Sequence, residues 1–216
     1  ASTSANRSDI RIDLTAPDDV ANFSSASHPA GTWISDSNVS MTWDPSGDAP
    51  GGAGLDHYEI DGVDVGDNLS QVIAYADGTH DISMRAVDGA GNQSWPSIIP
   101  SVQIDTVAPT VDSLTSSSHA SGSWVSNSDV ALAWTGSDSL SGVADYQIDG
   151  ASQGTNTSGT FAYADGTYTI TAIATDEAGN TGSLTLSDIQ VDTVAPSVDS
   201  LTSSSHASGS WVSNSD

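Results

Sequence analysis

The sequence predicts an all-β chain built as tandem β-sandwich beads on a string. Apolar and polar residues alternate at period 2, Asp-Gly turn signals separate the alternating runs, and the chain repeats itself at an interval of about 90 residues. No segment shows the 3.6-residue period of an amphipathic helix.

The elements follow in chain order. Val39, Met41 and Trp43 alternate with small or polar residues and read as a half-buried strand. Tyr58 and Ile60 share one face of the next strand, and Asp61-Gly62 turns the chain. After Asp77-Gly78, the residues His80, Ile82, Met84 and Ala86 supply a long inner face. The second half repeats the scheme with Val130, Leu132 and Trp134, then Tyr146 and Ile148, then the turns Asp149-Gly150 and Asp165-Gly166. Tyr168, Ile170, Ala172 and Ala174 form its long inner face. In the last strand Leu184 and Leu186 are out of phase with Ile189 and Val191, which predicts a β-bulge between them.

The repeat sets the domain boundaries. Asp13-Leu14-Thr15-Ala16-Pro17 returns as Asp105-Thr106-Val107-Ala108-Pro109 and as Asp192-Thr193-Val194-Ala195-Pro196, at intervals of 92 and 87 residues. Residues 192–216 differ from 105–129 only by Ser197 in place of Thr110. The expected organisation is therefore two whole repeats, 13–104 and 105–191. Residues 1–12 read as the last strand of a preceding repeat, and 192–216 as the start of a following one. Each joint carries Asp-x-x-Ala-Pro, whose proline fixes φ and stiffens the connection.

Composition excludes several functions. The 216 residues carry 3 Lys+Arg against 28 Asp+Glu, a formal charge of -25, and all three cations are arginines. Such a chain does not hold a nucleic-acid backbone, and an anionic membrane surface repels it. No apolar run reaches the roughly 20 residues of a membrane span, so no membrane insertion is expected in this segment. Without Lys there is no Schiff base. Without Cys there is no disulfide, thiolate nucleophile or Cys-ligated zinc. Residues 1–12 lack the apolar core of a signal peptide, so any export signal is expected outside this segment or already removed. Only 40 residues are Leu, Ile, Val or Phe, a thin supply for a core under this charge.

About seven short strands in about 90 residues is the size of an immunoglobulin-like sandwich. The run Tyr163-Ala164-Asp165-Gly166-Thr167-Tyr168-Thr169-Ile170, continuing through Asp176-Glu177-Ala178-Gly179-Asn180-Thr181, resembles the penultimate strand and loop of bacterial Ig-like tandem repeats. So do the opening Asp-Thr-Val-Ala-Pro and Asp138-Ser139-Leu140-Ser141-Gly142-Val143. The resemblance covers nearly the whole chain. It implies the stalk of a giant secreted adhesin or related surface protein, outside the cell. In immunoglobulin domains a tyrosine corner anchors this strand. Tyr168 suits that part, whereas the first repeat has His80 there and is not expected to share the corner.

The resemblance also implies calcium at bead junctions, because the entering linker, the loop after the second strand and the loop before the last strand meet at one pole. For the second repeat these supply Asp105, Asp138, Asp176, Glu177 and Asn180. For the first they supply Asp13, either Asp44 or Asp48, Asp88 and Asn92. The exit pole of the preceding bead, with His28 and Asp77, is expected to abut the same place. Oxygen donors of this kind suit Ca²⁺. The competing reading is that these Asp and Asn residues only shape turns. Crowded carboxylates repel, and a divalent ion would turn that repulsion into a cross-link and help a thin core fold.

Two further motifs recur. Ser-His-x-x-Gly-x-Trp stands at Ser27–Trp33, Ser118–Trp124 and Ser205–Trp211. It lacks the strained nucleophile turn of a hydrolase, so no enzyme activity is expected. It reads as a loop whose Trp closes the core and whose His bonds a backbone group, with a sugar platform as the other use of the Trp. Asn6, Asn22, Asn38, Asn68, Asn92 and Asn156 head glycosylation sequons, a mild excess on a Ser-rich surface.

The expected function is mechanical: an extracellular spacer that holds a terminal binding domain away from the cell. Its partners are neighbouring repeats of the same chain, and acidity without lysine suits a saline exterior that screens self-repulsion. Two alternatives stay open. One is a self-assembling filament, sheath or surface layer, with copies packing laterally by strand addition. The other is a carbohydrate-binding Ig-like module, which needs an aromatic or polar cleft peculiar to one repeat.

Overall fold

The computed structural model describes residues 10–202, 204, 208–209 and 211. Its first half contains β1 (Trp33–Ile34), β2 (Asn38–Thr42), β3 (Leu55–Ile60), β4 (Val63–Asp64), β5 (Ser70–Ala74), β6 (Gly78–Asp88) and β7 (Ser97–Ile104). Its second half contains β8 (Thr110–Ser116), β9 (Ser123–Val125), β10 (Asp129–Ser137), β11 (Val143–Ile148), β12 (Ala151–Gly154), β13 (Ser158–Ala162), β14 (Gly166–Asp176) and β15 (Thr181–Val191). The protein is all-β, and each half is an immunoglobulin-like sandwich. In the first, the sheet β1-β7-β6-β3-β4 faces the pair β2-β5. In the second, β12-β11-β14-β15-β9 faces β13-β10-β8.

Each sandwich has its own core. Val39, Met41 and Trp43 meet Tyr58, Ile60, Ile82, Met84, Ile99, Val102 and Ile104 in the first. Val130, Leu132 and Trp134 meet Tyr146, Ile148, Ile170, Ala172, Ala174, Ile189 and Val191 in the second. Period-2 alternation produces these faces, since successive side chains of a strand point to opposite sides.

The turns behave as their chemistry dictates. Asp61 and Gly62 both take positive φ (49° and 77°), as do Asp149 and Gly150 (48° and 82°), the geometry of a tight hairpin turn. Asp61 Oδ1 accepts the Ser83 backbone N–H, and Tyr75 Oη donates to Asp61 Oδ2 at 2.8 Å. Tyr163 and Asp149 repeat the pair at 2.6 Å. Burial raises both tyrosine pKa values, and the facing carboxylate adds to the shift. A hydroxyl with a raised folded pKa contributes stability that is complete below its unfolded value, about 10, and is lost as pH climbs through the folded value. Replacing both tyrosines by Phe should lower the melting temperature at pH 7 and flatten the alkaline limb above about pH 10. A limb as steep as that of the parent chain would refute this.

The bulge in the last strand is present in both halves. Tyr168 pairs with Ile189 while Ile170 pairs with Leu186, and Asp188 takes a φ of 57°. His80 pairs with Val102 while Ile82 pairs with Ile99, and Ser101 takes a φ of 53°. The Ser-His loop docks on this bulge, because Gly31 N–H donates to Ser101 O and Gly122 N–H to Asp188 O.

Two expectations need correction. The tyrosine corner is shared after all: Tyr168 Oη donates to Ala164 O at 2.9 Å, and His80 Nε2 bonds Ala76 O at 2.8 Å in the same way. The Trp of the Ser-His unit does not close the core. Trp124 is 60% exposed, because the short edge strand β9 carries it parallel to β15 at the sheet margin. The buried member is the histidine. His28 and His119 are each 1% exposed, with Nδ1 on the preceding Ser Oγ and Nε2 on a backbone carbonyl, Asp36 O or Asn127 O. Of the expected partial repeats, residues 1–9 lie outside the described residues, residues 10–12 adopt no strand, and neither do the described residues beyond Val191.

The halves differ at their first strand. In the second, β8 pairs with β10 along its length. In the first, residues 16–24 form no strand: they make the isolated bridge Ser24–Thr42 and scattered single bonds, such as Asp18 N–H to Gly47 O and Asp44 N–H to Ala21 O. Gly182 accounts for part of this. A Cβ there would lie 1.9 Å from Pro109 O, so only glycine lets the linker and β8 lie against β15. The first half has buried Ser94 at the matching position, where its Oγ accepts the Ala86 N–H.

Candidate metal centres

The leading pole of each sandwich gathers three aspartates. Asp13, Asp48 and Asp88 bring one carboxylate oxygen each to within 4.8 Å of one another, and so do Asp105, Asp138 and Asp176. The linker delivers Asp13 and Asp105, the long loop after β2 delivers Asp48, the end of β10 delivers Asp138, and the last residues of β6 and β14 deliver Asp88 and Asp176.

The following loops brace these carboxylates. Asp88 Oδ1 accepts the Ala90 and Asn92 backbone N–H groups, and Asn92 Nδ2 spans Asp88 Oδ2 (2.8 Å) and Asp13 O (3.2 Å). In the second half Asn180 Nδ2 spans Asp176 Oδ2 (2.9 Å) and Asp105 O (2.8 Å). Asn92 and Asn180 therefore tie the last loop to the linker, with the amide nitrogen turned into the cluster. This orientation also commits the Asn92 nitrogen, which a glycan would require. Burial pushes Asp88 and Asp138 toward higher pKa, but donated hydrogen bonds outweigh it and hold both below the usual carboxylate value. Those donors are the Asn92 side chain and N–H for Asp88, and the Leu140 and Gly142 N–H groups for Asp138.

The second centre is the deeper one. Asp105 is fully buried and Asp176 is 2% exposed. Asp138 Oδ1 accepts from Leu140 and Gly142, while Asp138 Oδ2 is buried with no hydrogen-bond partner, and the nearby Ser141 Oγ is in the same condition. A buried, unpartnered carboxylate oxygen is costly unless something positive meets it. The donor set fits a hard cation. Two oxygens on one calcium at about 2.4 Å lie no more than about 4.8 Å apart, and neither cluster contains the nitrogen or sulfur donors that softer metals select.

Gly52 sits against the first cluster. A Cβ there would lie 2.5 Å from Asp48 Oδ2 and 2.9 Å from Asp13 Oδ2. Gly52→Ala should therefore weaken any uptake of a divalent cation by this cluster by about tenfold or more and leave the second cluster unchanged. Calorimetry of the variant tests this, and an unaltered first-centre affinity would refute it.

Asp48, rather than Asp44, joins the first cluster, while Asp44 accepts from Asn22 Nδ2. Glu177 stays outside the second: its side chain is exposed and its N–H donates to Gly142 O. Asp77 meets the junction from the preceding sandwich, accepting Thr106 N–H and Oγ1–H. Of the sequons, Asn22, Asn38, Asn68 and Asn156 are exposed, and Asn6 lies outside the described residues. Among the described residues no helix is long and apolar enough to cross a membrane.

No protein-family model matches the chain. It is 29% identical over 186 residues to chitinase A1 of Niallia circulans, covering 78% of this chain and 25% of that one. The chain thus spans a quarter of the length of this curated relative. Among solved structures it is similar to fibronectin(III)-like modules of Clostridium thermocellum CbhA, with a TM-score of 0.43 and 14% identity over 83% of this chain and all of that one. It is also similar to a solved chain from a 1.5-MDa bacterial ice-binding adhesin, with a TM-score of 0.38 and 20% identity over 84% of this chain and 66% of that solved chain.

Proposed function

We propose that this chain is a spacer segment of an extracellular surface protein, and that calcium at the leading pole of each sandwich stiffens the string. The observation that carries this reading is the convergence of Asp105, Asp138 and Asp176 at the joint itself. Asp105 belongs to both sandwiches. Its backbone N–H donates to Ile34 O at the end of β1, and the next residue is bound to Asp77. Its carboxylate accepts from Ser141, and its carbonyl accepts from Asn180. A cation on Asp105, Asp138 and Asp176 would fasten a residue anchored in the first sandwich to two loops of the second. When bound, calcium would supply charge neutralisation and cross-linking. The protein would supply the preformed oxygen donors and the Asn braces that hold the linker in place.

Small-angle scattering in calcium and in EDTA tests the proposal. An extended particle in calcium that bends over a wider range of angles in EDTA is the expected result. Identical profiles would overturn the stiffening, and ordered side-by-side assemblies in calcium would favour a filament instead.

A further inference from the structure

Beside the Ala16-Pro17 end of its linker, but apart from the aspartate clusters, the first sandwich carries an aromatic cleft that the second lacks. Trp95 is 79% exposed, yet its backbone is fixed. Its N–H donates to Asp19 Oδ1 at 2.9 Å, its carbonyl accepts from Ser94 Oγ at 3.1 Å, and Pro96 follows it. Beside the indole lies a cleft of about 280 Å³ lined by Pro17, Asp19, Arg85, Gln93 and Trp95. Arg85 is one of only three cations in the chain, and among the described residues its guanidinium makes no ion pair. Its hydrogen bond to Ser94 O, at 3.5 Å, uses one of five N–H donors. Gln93 is positioned by Nε2 donating to Glu59 Oε2. Asp19 Oδ2 and the remaining Arg85 and Gln93 groups are left to line the rim.

These groups contribute little to the sandwich that carries them. An indole exposed to this degree buries little area, and an unpaired guanidinium gains no ion-pair energy. In the second sandwich the cross-strand pair Ile173 and Ser183 occupies the place of Arg85 and Trp95. Two beads of one design thus differ at a surface spot that neither core requires.

We infer that this cleft binds a neutral hexopyranose unit of a polysaccharide. The apolar C–H face of the ring stacks on Trp95, Arg85 and Gln93 donate to its hydroxyls, and Asp19 accepts from them. A rigid aromatic face with in-plane donors and acceptors matches the two-sided chemistry of a pyranose. The volume is small for a ligand pocket and holds one ring rather than a chain. A polyanion is disfavoured, because Asp19 and Glu59 flank the arginine and the chain carries a net charge of -25.

The test is calorimetry and tryptophan fluorescence of the whole chain with cellohexaose, mannohexaose, laminarihexaose and an alginate hexamer, each in calcium and in EDTA. At least one neutral hexamer is expected to bind in both buffers, which separates this site from the junction centres. Trp95→Ala should weaken that binding by about tenfold or more, and Arg85→Ala should weaken it as well. Trp124→Ala, at another exposed site, should leave it unchanged. Each variant is checked by its melting curve; the changes at exposed Trp95 and Trp124 should not move it, and the loss in half-buried Arg85→Ala is read at a temperature where its own curve shows it folded. Binding of alginate alone, binding of none of the hexamers, or full affinity in Trp95→Ala would each overturn the proposal.

Discussion

Saturating calcium should raise the melting temperature of this chain, and EDTA should return it to the metal-free value. A ligand that binds only the folded state stabilises it by RT ln(1 + [L]/Kd), on the order of 4 kcal/mol at a thousandfold excess. For a sandwich of this size each kcal/mol is worth about 4–8 °C, so the shift should exceed ~10 °C. The second centre should fill first. Its Asp105 and Asp176 are buried and its Asp138 Oδ2 lacks a partner, whereas in the first centre Asp13 and Asp48 are half-buried and backbone N–H groups of Ala53 and Gly54 already meet their Oδ2 atoms. Asp138→Asn separates metal binding from turn chemistry. An asparagine Oδ1 still accepts from Leu140 and Gly142, so the loop is kept and one charge is removed. The variant should melt near the parent chain in EDTA and lose most of the calcium shift of the second sandwich. Coincident parent curves in calcium and EDTA, or an equal loss for the variant in both buffers, would return these aspartates to the role of turn formers.

Gly182→Ala should destabilise the second sandwich while sparing the first. The added methyl would stand 1.9 Å from Pro109 O and 3.0 Å from Pro109 C. That neighbour is backbone, held between the linker and β8, and it cannot rotate away as a side chain would. Overpacking ordinarily costs about 1–3 kcal/mol, and a clash with backbone should reach or exceed the top of that range. Because the two cores share no buried residue, only one of two melting transitions should fall. Gly62→Ala makes the control, since its Cβ would meet nothing within 4 Å and its cost comes only from a positive φ of 77°. A Gly182→Ala chain whose two transitions match those of the parent would refute the close approach.

Much of the fold was legible because period-2 alternation reports directly which face of a strand is buried. Val39, Met41 and Trp43 lie inward, as do Ile170, Ala172 and Ala174, and the phase break between Leu186 and Ile189 marks a real bulge. The site was legible in its residue types and its loops. Five aspartates suggested for calcium, namely Asp13, Asp88, Asp105, Asp138 and Asp176, fall into the two clusters. What the sequence left open depends on how loops cross. Asp44 and Asp48 are equivalent in composition, and only the path of residues 44–54 brings Asp48 to Asp13. Glu177 follows Asp176 directly, but as the next residue along the chain its side chain leaves on the opposite side. His80 replaces a tyrosine because both place a polar atom at the same height above the strand, a match of geometry rather than of residue class. Trp95 falls in no alternating run and Arg85 sits on the outward face of the run from His80 to Ala86, so nothing in the pattern marked them.

The pairing of β1 with β7, and of β9 with β15, is parallel, and the chain leaves each sandwich from the strand so clasped. Tension along the string draws β7 toward its C-terminus and β1 toward its N-terminus. The hydrogen bonds between them then slide against one another and must break together rather than peel apart one by one. Asp105 N–H to Ile34 O, and Asp192 N–H to Val125 O, extend each clasp by one bond at the point where the load enters. A bead built this way resists extension through a high unfolding barrier, and its lifetime under pull is set by the rate of rupture rather than by its equilibrium stability.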